Sequence, residues 1–210
     1  DFGSGLTAPL IAKVAISSVD EAGAIANLDT DMPGWDFDGV RAAAKAQWAQ
    51  ALGVADVDAP EPMRKAFFTA LYHTLQAPSL FMDSDGRYRG PDNAVHQAKG
   101  WTNHSTFSLW DTYRALHPLL TIVQPEQRNN DIVQSLLAAR RESPYGVLPV
   151  WAFHGQETWC MIGYHAVPVI ADAYMKGIRG YGASEALNAM VARASYGPYD
   201  GLKQYMALGY

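Results

Sequence analysis

Residues 60–78 read PEPMRKAFFTALYHTLQAP, and the spacing inside them decides the fold class. Met63, Phe67, Leu71 and Leu75 recur at steps of four, which lines them up on one face of an α-helix. Pro60 or Pro62 suits the first turn, where a missing N–H costs nothing, and Pro78 ends the run. His73 lies off the ladder and reads as a surface or packing residue. Upstream, Phe37, Val40, Ala44, Trp48, Ala51 and Leu52 share a second helical face. Asp36 or Asp38 caps that helix and Gly53 stops it, leaving 54–59 as a linker.

Working outward, the same periodicity predicts a helix over about 105–117, where Phe107, Trp110, Tyr113 or Arg114, and His117 recur, with Pro118 ending or bending it. Further helices are expected from Pro125 through Arg140, from Gly163 to Met175, over about 184–193 with Leu187, Met190 and Val191 inward, and in a short run over 202–210. Residues 79–100 are irregular, with a hairpin at FMDSDGRYRG (81–90) turning at Asp85-Gly86. Residues 11–19, IAKVAISSV, read as a strand, followed by turn formers over 20–34. The chain is therefore mainly α from residue 36 onward. Consecutive helices pair as hairpins; arranged in a ring, they bring the loops at 87–104 and 150–160 to one end, whereas an ordinary bundle satisfies the same pattern.

Composition narrows the partners. Hydrophobic residues make up 49% of the 210 and charged residues 18%, enough for a substantial core. The formal charge of -5 comes without a basic tract, which argues against nucleic acid or an anionic membrane. No apolar run is long enough for membrane insertion. The single cysteine, Cys160, has no internal disulfide partner. Six tryptophans and eleven tyrosines mainly fill cores, though aromatic faces also suit sugar rings.

The chemistry concentrates in residues 148–168, LPVWAFHGQETWCMIGYHAVP. A carboxyl, Glu157, sits there among Trp151, Phe153 and Trp159. Burial against aromatics raises a carboxyl pKa, as a general acid at an acetal oxygen requires. Asp111 suits a hydroxyl-binding acceptor, or else a solvated acid paired with Arg114. A zinc site from His154, Glu157 and His165 lacks the HExxH pattern, and Cys160 reads as an inert thiol. DSDG at 83–86 places its glycine too early for an EF-hand. Asn103-His104-Ser105 fits a glycosylation acceptor only formally.

Five segments carry a resemblance. They are IAKVAISSVDEAGAIANLD with PGWDFD, FFTALYHTLQAPSLFMDSDGRYRG, WTNHSTFSLWDTYRALHPLL, LTIVQPEQ, and LPVWAFHGQETWCMIGYHAVPVIADAYMKG. In order and over nearly all of residues 11–210, they resemble glycoside hydrolase family 92, exo-acting α-mannosidases that depend on calcium and invert configuration. The resemblance implies an N-terminal β-sandwich packed on an (α/α)6 toroid. Residues 1–34 would be the sandwich tail and connector, 35–59 a linker helix, and 60–210 the first part of the barrel. It implies Glu157 as the acid and Asp111 as a mannose ligand, with Arg87, Tyr88, Trp110, His154 and Trp159 as pocket wall. Gln156 stands where the family usually has asparagine, which bears on water or ion placement. The family's base and much of its calcium site are expected downstream of residue 210. The resemblance further implies an α-mannoside glycan, most often α-1,2-linked, as substrate, a secreted or periplasmic location, and weak or no activity for these residues alone. Helices taken from a barrel would associate with the rest of the module or with one another. The other readings are a non-catalytic mannose-binding or structural helical fragment, and another helical-toroid glycosidase.

Overall fold

A computed structural model describes residues 10–210. The architecture is helical, with short two-stranded ladders between helices. The order is α1 (Glu21–Asp31), α2 (Phe37–Leu52), α3 (Glu61–Thr74), β1 (Ser79–Leu80), β2 (Arg87–Arg89), β3 (Val95–Gln97), β4 (His104–Ser105), α4 (Leu109–Thr112), α5 (Leu116–Val123), α6 (Glu126–Glu142), β5 (Ala152–Phe153), β6 (Gln156–Glu157), α7 (Ala166–Met175), α8 (Ala183–Ala194) and α9 (Leu202–Leu208). Among the described residues no helix is long and apolar enough to cross a membrane.

The caps fall where local chemistry requires them. Asp36 accepts from Gly39 N–H at 2.9 Å and opens α2. Pro60 and Pro125 precede α3 and α6, sites where no donor is lost. Pro118 sits in the first turn of α5 rather than at the end of a helix.

Two expected elements change. Residues 11–17 form no strand, and residues 1–9 of the expected sandwich tail lie outside the described residues. Residues 21–31, read as turns, form α1, with Asp20 accepting from Gly23 N–H at 2.7 Å. Long-range bonds hold this segment. Buried Asp83 accepts from Ser17 Oγ at 2.7 Å and Asn27 Nδ2 at 2.9 Å. Arg89 donates to the carbonyls of Ser18 at 2.6 Å and Val19 at 2.8 Å.

The expected helix over 105–117 is also broken. Ser105 pairs with Ser79 in the β1–β4 ladder, and Thr106 takes φ 67. Phe107 N–H then donates to Ala152 O at 2.8 Å. Only α4 and α5 remain helical in this stretch.

The core surrounds α6. Leu136 and Leu137 on α6, Leu120 on α5, Leu109 on α4, Leu148, and Ile170 on α7 are fully enclosed. Each such side chain contributes roughly 1.5–3 kcal/mol by leaving water. Asn129, Asn130 and Ser135 on α6 are enclosed as well, and they bond to neighbouring segments. Asn129 Nδ2 donates to Leu120 O at 3.1 Å, and Asn130 Oδ1 accepts from Gly180 N–H at 2.7 Å. Ser135 Oγ accepts from His104 N–H at 2.9 Å and pins β4 against α6. On α8 the buried positions are Ala186, Ala189 and Arg193, whereas Leu187 and Val191 face outward. Small residues let α8 approach closely, so Met190 alone of the three expected inward residues packs on the core.

Candidate active site

The site is built on the short hairpin β5–β6, in which Ala152 pairs with Glu157 and Phe153 with Gln156. Its two-residue turn, His154-Gly155, has φ 46 and 80, the left-handed pair that such hairpins need. A Cβ on Gly155 would lie 2.6 Å from Arg89 O, so both the backbone angle and the space call for glycine. Gly155 N–H also donates to Ser105 Oγ at 3.3 Å, and the Phe107–Ala152 bridge fixes the other edge.

This frame presents the Glu157 carboxylate to backbone donors. Oε2 accepts from Val150 N–H at 2.6 Å, and Oε1 from Trp151 at 3.1 Å and Trp159 at 2.8 Å. The side chain is thus positioned by polar main chain and is partly open. Its orientation is fixed by three directed bonds, a stronger constraint than packing alone.

Glu157 lines a cleft together with Trp159, Tyr145, Tyr88, Ser105 and Glu142. The enclosed part measures about 30 Å3, room for a water or two or for a single hydroxyl. Tyr145 and Trp159, both on its wall, stand edge-to-face with ring centroids 4.9 Å apart.

The other expected residues divide. Tyr88 is buried on the cleft wall and donates its hydroxyl to Glu142 Oε1 at 2.5 Å. Arg87 turns away and pairs with Asp85 at 2.6 Å and Asp20 at 2.9 Å, while its neighbour Arg89 takes the wall position. His154 is stacked between Phe153 and Phe81, at 4.1 and 5.7 Å, outside the cleft. Trp110 carries Arg114 over its ring at 4.9 Å. Asp111, on α4, is exposed, forms no ion pair with Arg114 and does not line the cleft. Gln156 is exposed on β6. Asn103 is buried, with Nδ2 donating to Phe81 O at 3.0 Å, so it offers no attachment point for a glycan.

Glu142, the last residue of α6, escaped the sequence reading. Its Oε1 is taken by Tyr88 and faces His96 Nδ1 at 3.7 Å, and its Oε2 is enclosed without a partner. Burial holds this carboxyl above the usual carboxylate range. Nothing local marks it, because the partner lies 54 residues away.

Among the described residues no three His, Cys, Asp or Glu side chains converge to hold a metal ion. His154, Glu157 and His165 are separately engaged, with His165 stacked on Tyr113 at 4.3 Å. These donors do not make up a calcium site by themselves, and no step below is routed through calcium.

The comparisons with known proteins agree on a family. The glycosyl hydrolase family 92 catalytic domain matches residues 23–210. The structure of the family GH92 alpha-mannosidase BT3965 from Bacteroides thetaiotaomicron superposes with a TM-score of 0.87 at 43% identity, over 90% of this chain and 25% of that one. The same protein in complex with mannoimidazole matches equally well. The gh92 family glycosyl hydrolase ccman5 shares the fold, with a TM-score of 0.70 at 23% identity, over 92% of this chain and 26% of that one. An uncharacterized secreted glycosidase of Arthroderma benhamiae is 29% identical over 108 residues, 49% of this chain and 13% of the fungal one. The chain thus spans about a quarter of the length of the solved relatives. With the family domain covering all but the first 22 residues, the chain belongs to glycosyl hydrolase family 92.

Proposed function

We propose that this chain is the acid-bearing part of an inverting exo-α-mannosidase, with Glu157 delivering the proton to the departing glycosidic oxygen. The observation that carries this is the position of the Glu157 carboxyl group at the wall of a cleft that it shares with Trp159, Tyr145 and Tyr88. The enclosed space suits one oxygen substituent and not a ring. The sugar therefore rests at the mouth against Trp159 and Tyr145, and the exocyclic oxygen enters. Inversion needs a second carboxylate about 6.5–9.5 Å away across the anomeric carbon, to activate water. We place that base, and the calcium ligands that the family resemblance implies, in other parts of a longer protein. In that arrangement residues 35–59 link a sandwich to a toroid that begins near residue 60. Asp111, exposed beside the bridged Phe107, is then a mannose ligand only where those other parts bring the sugar over α4. A secreted or periplasmic setting accompanies this reading through the resemblance alone.

Binding of methyl α-mannoside to the full chain, followed by tryptophan fluorescence, tests the site. Saturable binding in the millimolar range or tighter supports it, and no binding overturns it. In a longer protein that contains this chain and hydrolyses α-1,2-mannobiose, Glu157→Gln should lower kcat at least about hundredfold. Nuclear magnetic resonance should show β-mannose as the first product. Unchanged turnover in that variant would favour the non-catalytic mannose-binding reading.

A further inference from the structure

Glu142 lines the same cleft as Glu157 yet has no part in the proton delivery proposed above. Burying a carboxyl there is costly. Its Oε2 is enclosed without a partner, and burial disfavours the charged form. For stability alone, apolar groups of the same shape would serve the end of α6 as well as a buried polar pair. What a directed bond adds is a fixed register between the elements it joins.

The elements joined are α6 and the β2–β3 hairpin. Successive side chains on a strand point to opposite faces. On β2, buried Tyr88 donates its hydroxyl to Glu142 Oε1. Arg87 pairs with Asp20, and Arg89 holds the carbonyls of Ser18 and Val19. His96, opposite Tyr88 in the ladder, places Nδ1 3.7 Å from Glu142 Oε1 and Nε2 3.0 Å from Asp92. Gly90 closes this contact. A Cβ there would lie 2.8 Å from Glu142 Oε2 and 2.7 Å from His96 Cδ2, so the main chain leaving β2 rests on the carboxyl. The residue before it, Arg89, supplies the carbonyl that lies against Gly155. Residues 88–90 therefore touch the end of α6 on one side and the turn of the β5–β6 hairpin on the other.

We propose that Glu142 is a positioning residue for Glu157, acting through Tyr88 and the Arg89 carbonyl to fix where the β5–β6 hairpin holds the acid. This rests on the reading of Glu157 given above. Without the Tyr88 bond, β2 is free to shift along α6 and the backing of Gly155 loosens. The N–H groups of Val150, Trp151 and Trp159 then lose the common frame in which they hold Glu157.

Hydrogen exchange of the full chain, followed amide by amide, reads that frame and needs no ligand. In Tyr88→Phe and in Glu142→Ala, exchange at Trp151 and Trp159 should quicken at least about tenfold, while Leu136 in α6 stays within about threefold of the parent. Glu142→Gln keeps an acceptor for the Tyr88 hydroxyl and should recover most of the loss. In a longer protein that contains this chain and hydrolyses α-1,2-mannobiose, Tyr88→Phe and Glu142→Ala should lower kcat about tenfold and leave KM within about twofold, the pattern of a misplaced reacting group. Exchange that is unchanged at the two tryptophans, or that quickens equally at Leu136, overturns the positioning role and leaves the Glu157 reading in place. A raised KM at unchanged kcat makes these residues sugar contacts and overturns it too. Unchanged turnover in Glu157→Gln removes the Glu157 reading, and the positioning role with it.

Discussion

At Glu157 one oxygen accepts two backbone N–H groups and the other accepts one. An amide in its place reproduces one side only. In Glu157→Gln the oxygen is expected to keep Trp151 and Trp159, and the NH2 then faces Val150 N–H, donor to donor. The variant should lose about 1–2 kcal/mol of stability, measured by urea unfolding. A variant as stable as the parent would mean that these bonds hold little. Functional tests with this variant therefore need a stability control. His117 gives a pH test. It is enclosed against Phe107, its Nε2 has no partner, and burial lowers its pKa to about 4. The folded form thus keeps His117 neutral while the unfolded chain protonates it near its ordinary value. Acidification from about pH 6.5 to about pH 4 should cost roughly 3 kcal/mol through this residue, with nothing lost above that window. His117→Leu should flatten that part of the stability curve; an unchanged slope would assign acid sensitivity elsewhere. The backbone donors to Glu157 lie within the same stretch of sequence, whereas Glu142 was hidden because Tyr88 and His96 reach it only through the fold.

Helices α2, α3 and α6 were legible because Asp36, Gly53, Pro60 and Pro125 act on the backbone beside them. The misread elements were decided at a distance. Residues 21–31 look like turns until Asn27 reaches Asp83 and Ser84. The stretch over 105–117 looks helical until Ser79 and Ala152 claim its first residues. On α8 the large apolar residues suggested the wrong face, since close packing favoured Ala186 and Ala189. The β5–β6 hairpin depends on a single position in the same way. Gly155→Ala combines φ 80 with a 2.6 Å approach to Arg89 O. It should cost about 1–3 kcal/mol and disorder the loop that carries Glu157. Urea unfolding together with amide exchange at Trp159 checks both effects. Full stability with an unchanged loop would refute the close fit described here.

Several helix faces of the molecule carry no cover. Phe37 is 65% exposed, Met63 63%, Val191 59% and Leu187 57%. The ladder at 63–75 that set the fold class is buried only at Leu71 and Leu75, so the face that was legible is largely unsatisfied here. Patches of this kind drive association. Sedimentation velocity should show concentration-dependent self-association of the isolated chain, weakened in Phe37→Ser and Met63→Ser. A single sharp monomer boundary across concentrations would contradict this. The way α1 is attached has a separate consequence. Ser17, Asn27, Asp83 and Arg89 hold it through side chains, and Pro33, Gly34 and Trp35 beyond it are open to water. A protease that nicks the backbone at Gly34 should therefore not release the amino-terminal piece. The severed peptide should co-elute with the remainder until urea parts them, and Asp83→Ala should let it go at once.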